Sequence, residues 1–263
     1  MQELLVVKIG GNVIDSPEAL TKFLRSFVTL PSPKILVHGG GKIATQVAAK
    51  LGVETNMVEG RRITTQPMLE VVTMVYGGLV NKNIVAQLQA TGCDAIGLTG
   101  ADAAVVQAHK RPVVQIDYGL VGDIEKIDAA RLELFLKSSL TPVVAPLSFD
   151  MKAATLLNTN ADTMASAIAV ALAEAFSVNL VYCFEKKGVL SDPTDDDSVI
   201  PRLTPELYAH HKNEGNIYQG MIPKLDNAFA ALQNGVKKVT ICHADQLAEA
   251  LDENQTKGTL LEI

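Results

Sequence analysis

Leu4-Leu5-Val6-Val7-Lys8-Ile9-Gly10-Gly11 is the stretch on which the fold turns. An apolar run of this length ending in two glycines reads as a buried strand that leaves its sheet through a glycine turn. Lys8 stands at that exit, beside two residues without side chains, where backbone N–H groups can come close to phosphate oxygens. A lysine at a strand end can equally be one that snorkels its ammonium to water. A second unit of the same kind follows. Lys34-Ile35-Leu36-Val37 leads into His38-Gly39-Gly40-Gly41-Lys42 and then into a helical stretch, Ile43 to Leu51. Two such units put two sets of amides at the carboxyl edge of a parallel sheet, where open α/β folds bind their ligands.

Outward from these units the chain alternates strand and helix patterns. Short Val/Ile/Leu runs recur at Leu4 to Ile9, Ile35 to Val37, Ala95 to Leu98, Pro142 to Ala145, Asn179 to Phe184 and Val239 to Ile241. Between them, Leu20 to Val28, Ile43 to Leu51, Gln66 to Gln89, Ala129 to Ser138, Asn160 to Ala175 and Pro223 to Asn234 carry apolar residues at helical spacing. The alternation predicts an α/β fold, a three-layer αβα sandwich around a mainly parallel sheet. The length allows one large α/β domain or two lobes, and the resemblance given below implies two, 1–175 and 176–263.

Composition narrows the function classes. With 48% apolar residues in 263, the chain can bury a sizeable core. A net charge of −6, with basic clusters no longer than pairs such as Arg61-Arg62 and Lys186-Lys187, argues against nucleic acid or an anionic membrane as the main partner. The apolar stretch Met164 to Ala173 is too short to span a bilayer, and the amino terminus lacks a signal-peptide pattern, so a cytoplasmic protein acting on a small molecule is expected. Cys93, Cys183 and Cys242 lack metal-ligand spacing and are expected to be buried thiols. His210-His211 has no partner spacing for a metal and reads as surface.

Three glycine motifs compete for the second loop. Gly39-Gly40-Gly41-Lys42-Ile43-Ala44 fits G-x-G-x-x-A, with Glu54 or Glu59 as an available acid, but a dinucleotide fold leaves Lys8, Gly10 and Gly11 unexplained. A Walker loop needs a hydroxyl where Ile43 follows Lys42. The oxyanion loop of esterases needs a G-x-S-x-G elbow, which the sequence does not contain.

The second half adds two helix entries. In Leu157-Asn158-Thr159-Asn160-Ala161-Asp162, Asn160 reads as an N-cap and Asp162 as a first-turn carboxylate favoured by the helix dipole. Gly220-Met221-Ile222-Pro223-Lys224 enters another helix with proline near its first position and places a second lysine there.

Lys8-Ile9-Gly10-Gly11, His38-Gly39-Gly40-Gly41, Gly60-Arg61-Arg62-Ile63-Thr64, Leu157 to Asp162 and Gly220 to Lys224, in this order, resemble the motifs of the amino acid kinase family over essentially the whole chain. The glycine motifs are shared with carbamate, uridylate and aspartate kinases. Arg62-Ile63-Thr64 together with Asn158 to Asp162 points to the acylglutamate branch. The resemblance implies ATP-dependent phosphorylation of the γ-carboxylate of N-acetyl-L-glutamate, an arginine biosynthesis step. N-succinyl-L-glutamate, another acceptor of the family and a non-catalytic nucleotide-binding module remain as alternatives.

By the same resemblance Lys8 and Lys224 correspond to the two transition-state lysines and Asp162 to the carboxylate orienting them. Gly11 and Gly40 correspond to backbone donors on the transferred phosphoryl group. Gly40, Gly41, Arg62 and Asn158 fall on the acceptor. Lys8, Gly10, Gly11, Glu185, Gly188, Val189, Leu190, Asn216, Ile217, Tyr218 and Lys224 fall on the nucleotide. The family usually has a small hydroxyl residue and Asp where this chain has Phe184 and Glu185. Mg2+ is implied with ATP, held mainly by phosphates, and no protein ligand for it is named. Relatives inhibited by arginine carry an extra amino-terminal helix, so this chain resembles the short, arginine-insensitive homodimer. Gln66 to Gln89 has more apolar positions than one buried face requires, so it reads either as the subunit contact or as a central core helix.

The chemistry of the residues agrees. Phosphoryl transfer asks the protein mainly for positioning and charge stabilisation, which lysines and amides supply. A γ-carboxylate with a pKa of about 4.3 is already ionised at neutral pH and needs no general base.

Overall fold

Leu4 to Ile9 are buried without interruption along the strand Glu3–Ile9, as in a parallel strand covered on both faces. The computed structural model describes residues 1–31, 33–217, 221–252 and 257–263. It is an α/β fold with a mainly parallel sheet, the class expected from the alternating pattern. The chain packs as two compact units, one of residues Met1–Lys34 with Ala165–Ile263, the other of Ile35–Met164.

In the first unit the strands run in the order Arg202–Leu203, Thr259–Leu261, Lys238–His243, Ser177–Phe184, Glu3–Ile9. Lys238–His243 and Thr259–Leu261 pair antiparallel, and the other neighbours are parallel. The helix Pro17–Thr29 buries Leu20, Phe23, Leu24 and Phe27 at three- and four-residue spacing. Ser16 begins it by accepting from the Ala19 N–H at 3.2 Å, with proline in the first turn. Lys34 closes it: the buried ammonium donates to the Val28 and Leu30 carbonyls at 2.9 and 2.7 Å, answering end groups that the helix leaves open.

In the second unit Lys34–His38, Thr141–Val144 and Ala95–Leu98 form a parallel set in that order. The expected helix Gln66 to Gln89 is a continuous run of three segments: α-helix Gln66–Val72, a π-helical segment Thr73–Val80 and α-helix Asn81–Ala90. The wider π turn re-aims the side chains that follow it. Asn81, just after it, donates to the His38 ring at 3.1 Å and to the Val143 carbonyl at 2.9 Å.

The sequence pattern missed a four-stranded mixed sheet in this unit, with order Thr155–Asn158, Leu147–Asp150, Val106–Lys110, Gly122–Ile127. Its strands are short and interrupted by polar or charged residues, as in Gly122-Asp-Ile-Glu-Lys-Ile127, so no long apolar run marks them. It also missed the hairpin Met57–Val58 with Arg61–Arg62. Glu59 and Gly60 both have positive φ, 50° and 72°, the backbone of a two-residue type I′ turn.

His38 ends its strand fully buried. Its Nδ1–H donates to the Gly39 carbonyl at 2.8 Å while Nε2 accepts from Asn81, which fixes a neutral ring. Burial pushes its pKa down to about 4, and the Gly39 carbonyl opposes that only partly. Because the folded value lies below the unfolded one, this contribution to stability is present above about pH 6.5 and is lost as pH falls toward 4. We expect the wild type to lose about 2 kcal/mol more between pH 7 and pH 5 than His38→Gln does, measured by urea unfolding. Parallel stability curves for the two proteins would contradict a neutral buried His38.

Candidate active site

The first glycine turn lies where the sequence puts it. Lys8 is buried near the end of its strand, paired in register with Tyr182. The Gly10 N–H donates to the Cys183 carbonyl at 3.1 Å, which ties the turn to the neighbouring strand. Gly11 then opens the short helix Gly11–Asp15. All three cysteines are buried thiols. Cys183 and Cys242 are register partners on parallel strands, with Sγ atoms 3.7 Å apart. Their mutual hydrogen bond and burial hold the Cys183 pKa well above the usual range, against the opposing charge of Lys8, and leave the thiol unreactive.

In the same unit a mostly apolar cavity of about 390 Å³ has Glu185, Gly188, Val189, Leu190, Ile217 and Lys224 on its wall. These are six of the residues expected at a nucleotide, and the cavity falls within the size range of small-ligand sites. Its floor is strapped down. The Val189 N–H donates to Thr259 Oγ1 at 2.8 Å, and a side chain on Gly188 would approach that same atom to 2.7 Å. Asn216 is not on this wall, and its amide donates to Glu214 at 2.9 Å. Tyr218 and Gly220 lie outside the described residues. Lys224, in the first turn of helix Ile222–Gln233, sets its ammonium 6.0 Å from the centre of the Phe184 ring, within cation–π range. Phe184, noted in the sequence only as a departure, therefore takes part in the surroundings of Lys224.

The second unit carries its own pocket, lined by Gly39, Gly40, Gly41, Arg62 and Asn158 among others. All three glycine carbonyls are engaged. His38 donates to Gly39 O, Ala44 N–H to Gly40 O at 3.0 Å, and Arg62 Nη2 to Gly41 O at 2.9 Å. With the negative ends of its dipoles occupied, this loop and the start of helix Gly41–Lys50 suit an anion. Gly40 has φ +146°, a conformation that side chains rarely adopt, and an added Cβ would lie 3.1 Å from the Tyr76 ring.

Arg62 is buried and over-determined. Besides Gly41 O, its guanidinium donates to Thr45 Oγ1 at 2.9 Å and Thr55 Oγ1 at 3.3 Å. Tyr76 also bonds it, and burial raises the phenol's pKa despite the neighbouring positive charge. Asn158 Nδ2 donates to Thr64 Oγ1 at 2.9 Å, so two motifs far apart in sequence, Arg62-Ile63-Thr64 and Asn158 to Asp162, meet at one wall. Asn160 Oδ1 accepts from the Asp162 and Thr163 N–H groups at 2.8 and 3.1 Å, the cap read from the sequence. Asp162 is buried in the first turn of helix Ala161–Leu172, between the wall residues Ala161 and Thr163. Tyr76 and Arg111, also on this wall, were missed. Tyr76 hid inside a helical pattern, and Arg111 belongs to a short strand-end sequence with no periodic signal.

Among the described residues no group of three or more His, Cys, Asp or Glu side chains is arranged to hold a metal.

The chain is 57% identical over 262 residues to an acetylglutamate kinase of Cytophaga hutchinsonii, covering 99% of both chains. It is 52% identical over 260 residues to an acetylglutamate kinase of Phocaeicola vulgatus, covering 99% of this chain and 98% of that one. The crystal structure of smu.665 from Streptococcus mutans superposes with a TM-score of 0.79 at 27% identity, covering 98% of each chain. With residues 3–243 matching the family model as well, the chain belongs to the amino acid kinase family.

Proposed function

We propose that this protein is an ATP-dependent kinase that phosphorylates the γ-carboxylate of N-acetyl-L-glutamate, a step of arginine biosynthesis. The relatives it resembles over nearly their full length are named for that activity. The observation that supports it best is the acceptor pocket, where Arg62 is tied to Gly41 O beside a glycine loop whose carbonyls are all engaged. One wall thus offers a guanidinium for an α-carboxylate, and the other offers amides toward a phosphoryl group.

In this reading Arg62 and Asn158 hold the α-carboxylate and backbone of the acceptor, with Gly40 and Gly41 beside its γ-carboxylate. The cavity around Gly188, Val189, Leu190 and Ile217 takes the adenosine of ATP. Residues 1–175 supply the acceptor and transfer loops, and 176–263 the nucleotide contacts. A γ-carboxylate oxygen attacks the γ-phosphorus, the bond from that phosphorus to the β,γ-bridging oxygen breaks, and ADP leaves with the electron pair. No proton moves. Lys8 and Lys224 stabilise charge on the transferred group and leaving oxygen, amides of Gly11 and Gly40 donate to the equatorial oxygens, and Asp162 orients the lysines. Mg2+ accompanies the triphosphate and neutralises part of its charge when bound.

In this reading the reaction takes place in the cytoplasm. A homodimer is part of the same proposal, with the run Gln66 to Ala90 as its contact, because Met74 and Leu79 stand exposed there.

The direct test is ATP-dependent acyl phosphate formation trapped with hydroxylamine, offering N-acetylglutamate, free glutamate and aspartate. Turnover of a free amino acid alone would move the protein to another branch of the family. Lys8→Ala and Lys224→Ala should stay folded and lose at least about a hundredfold in kcat. Near-normal turnover by either would remove that lysine from the mechanism. Arg62→Ala should raise the acceptor KM more than it lowers kcat, whereas a loss confined to kcat would contradict its binding role. Light scattering should report a dimer for the wild type and a monomer for Met74→Lys; an unchanged dimer would place the contact elsewhere.

A further inference from the structure

The acceptor pocket carries more positive charge than an N-acetylated acceptor uses. Arg61, Arg62 and Arg111 line it, and among the described residues no Asp or Glu does. N-acetylglutamate brings two carboxylates, assigned above to the Arg62 wall and to the glycine loop. Arg111 has no role in that assignment.

Its surroundings show a guanidinium held in place. The Arg111 N–H donates to the Val121 carbonyl at 2.8 Å, which sets the residue against the wall formed by Val121 and Gly122. Both Nε and Nη2 donate to a single oxygen, Asp123 Oδ1, at 2.9 and 2.6 Å. The Tyr118 ring lies 5.6 Å from the guanidinium carbon. Asp123 and Tyr118 fix the orientation of the head and leave its remaining nitrogen, Nη1, buried and without a hydrogen-bond partner among the described residues. A buried charged donor in that position calls for an acceptor, and a carboxylate matches the planar donor fork of arginine best. The methyl end of an acetyl group offers it nothing.

We propose that Arg111 forms an anion-binding subsite at the acyl end of this pocket, and that besides N-acetyl-L-glutamate the protein takes, and uses more efficiently, an N-acylglutamate whose acyl chain ends in a carboxylate, as in N-succinyl-L-glutamate. This rests on reading the pocket as an acylglutamate site. The γ-carboxylate and its phosphorylation are unchanged, and only the acyl group is at issue.

The experiment compares kcat/KM for N-acetyl-, N-succinyl- and N-succinamyl-L-glutamate, the last carrying a neutral carboxamide in place of the terminal carboxylate. The wild type should favour the succinyl compound by about tenfold or more over both others, since a site built for a polar group discriminates against analogues that lack it. Arg111→Met should erase that preference mainly through KM, and Arg111→Lys should restore part of it. Equal use of succinyl and succinamyl acceptors by the wild type overturns the subsite without any variant having to fold. A preference that survives Arg111→Met overturns the assignment to Arg111. Acyl phosphate from none of the three overturns the kinase reading itself, an outcome distinct from turnover of N-acetylglutamate without preference.

Discussion

The φ of +146° at Gly40 is the constraint on which the acceptor pocket depends. It lets the chain pass from a buried strand into the helix Gly41–Lys50 in one step, under the ring of Tyr76. The conformation is held from both sides. His38 takes the Gly39 carbonyl, and Arg62 takes that of Gly41. Each of these groups is fixed in turn, His38 by Asn81 and Arg62 by Tyr76 and two threonines. The loop is thus clamped by side chains from the strand before it, from the hairpin after it and from the run Gln66 to Ala90. Preorganised dipoles of this kind favour an anion without a cost of reorganisation when it arrives.

The charges follow from that clamp. A protonated His38 would set a second buried cation beside the loop, so burial and the two ring hydrogen bonds keep it neutral across the physiological range. Arg62 is already charged and is accommodated by oxygen acceptors rather than by a carboxylate. None of these acceptors is an acidic side chain. Arg111 differs in being anchored by Asp123, yet one of its nitrogens is left over.

The unit of Met1–Lys34 with Ala165–Ile263 solves a different problem. Its cavity is apolar and its floor is pinned by Thr259, while Phe184 sets an aromatic face against Lys224. The ring lies within cation–π range of that ammonium. The adjacent Cys183 packs against Cys242 as a small buried group beneath the first glycine turn.

By itself the sequence determined the α/β class, the two glycine turns and the capped entry at Asn160. Each of these has a local signal, because strand, turn and cap preferences are settled within a few residues. Only the tertiary structure decided that Arg62 clamps Gly41, that Asn158 meets Thr64, that His38 is buried neutral and that Tyr76 and Arg111 stand at the acceptor wall. It also decided the mixed sheet Val106–Lys110 to Thr155–Asn158, whose short strands, interrupted by polar or charged residues, have no long apolar run to announce them. Such features depend on contacts between residues far apart in the chain, and a side chain's partner and its burial are properties of packing that no local pattern encodes.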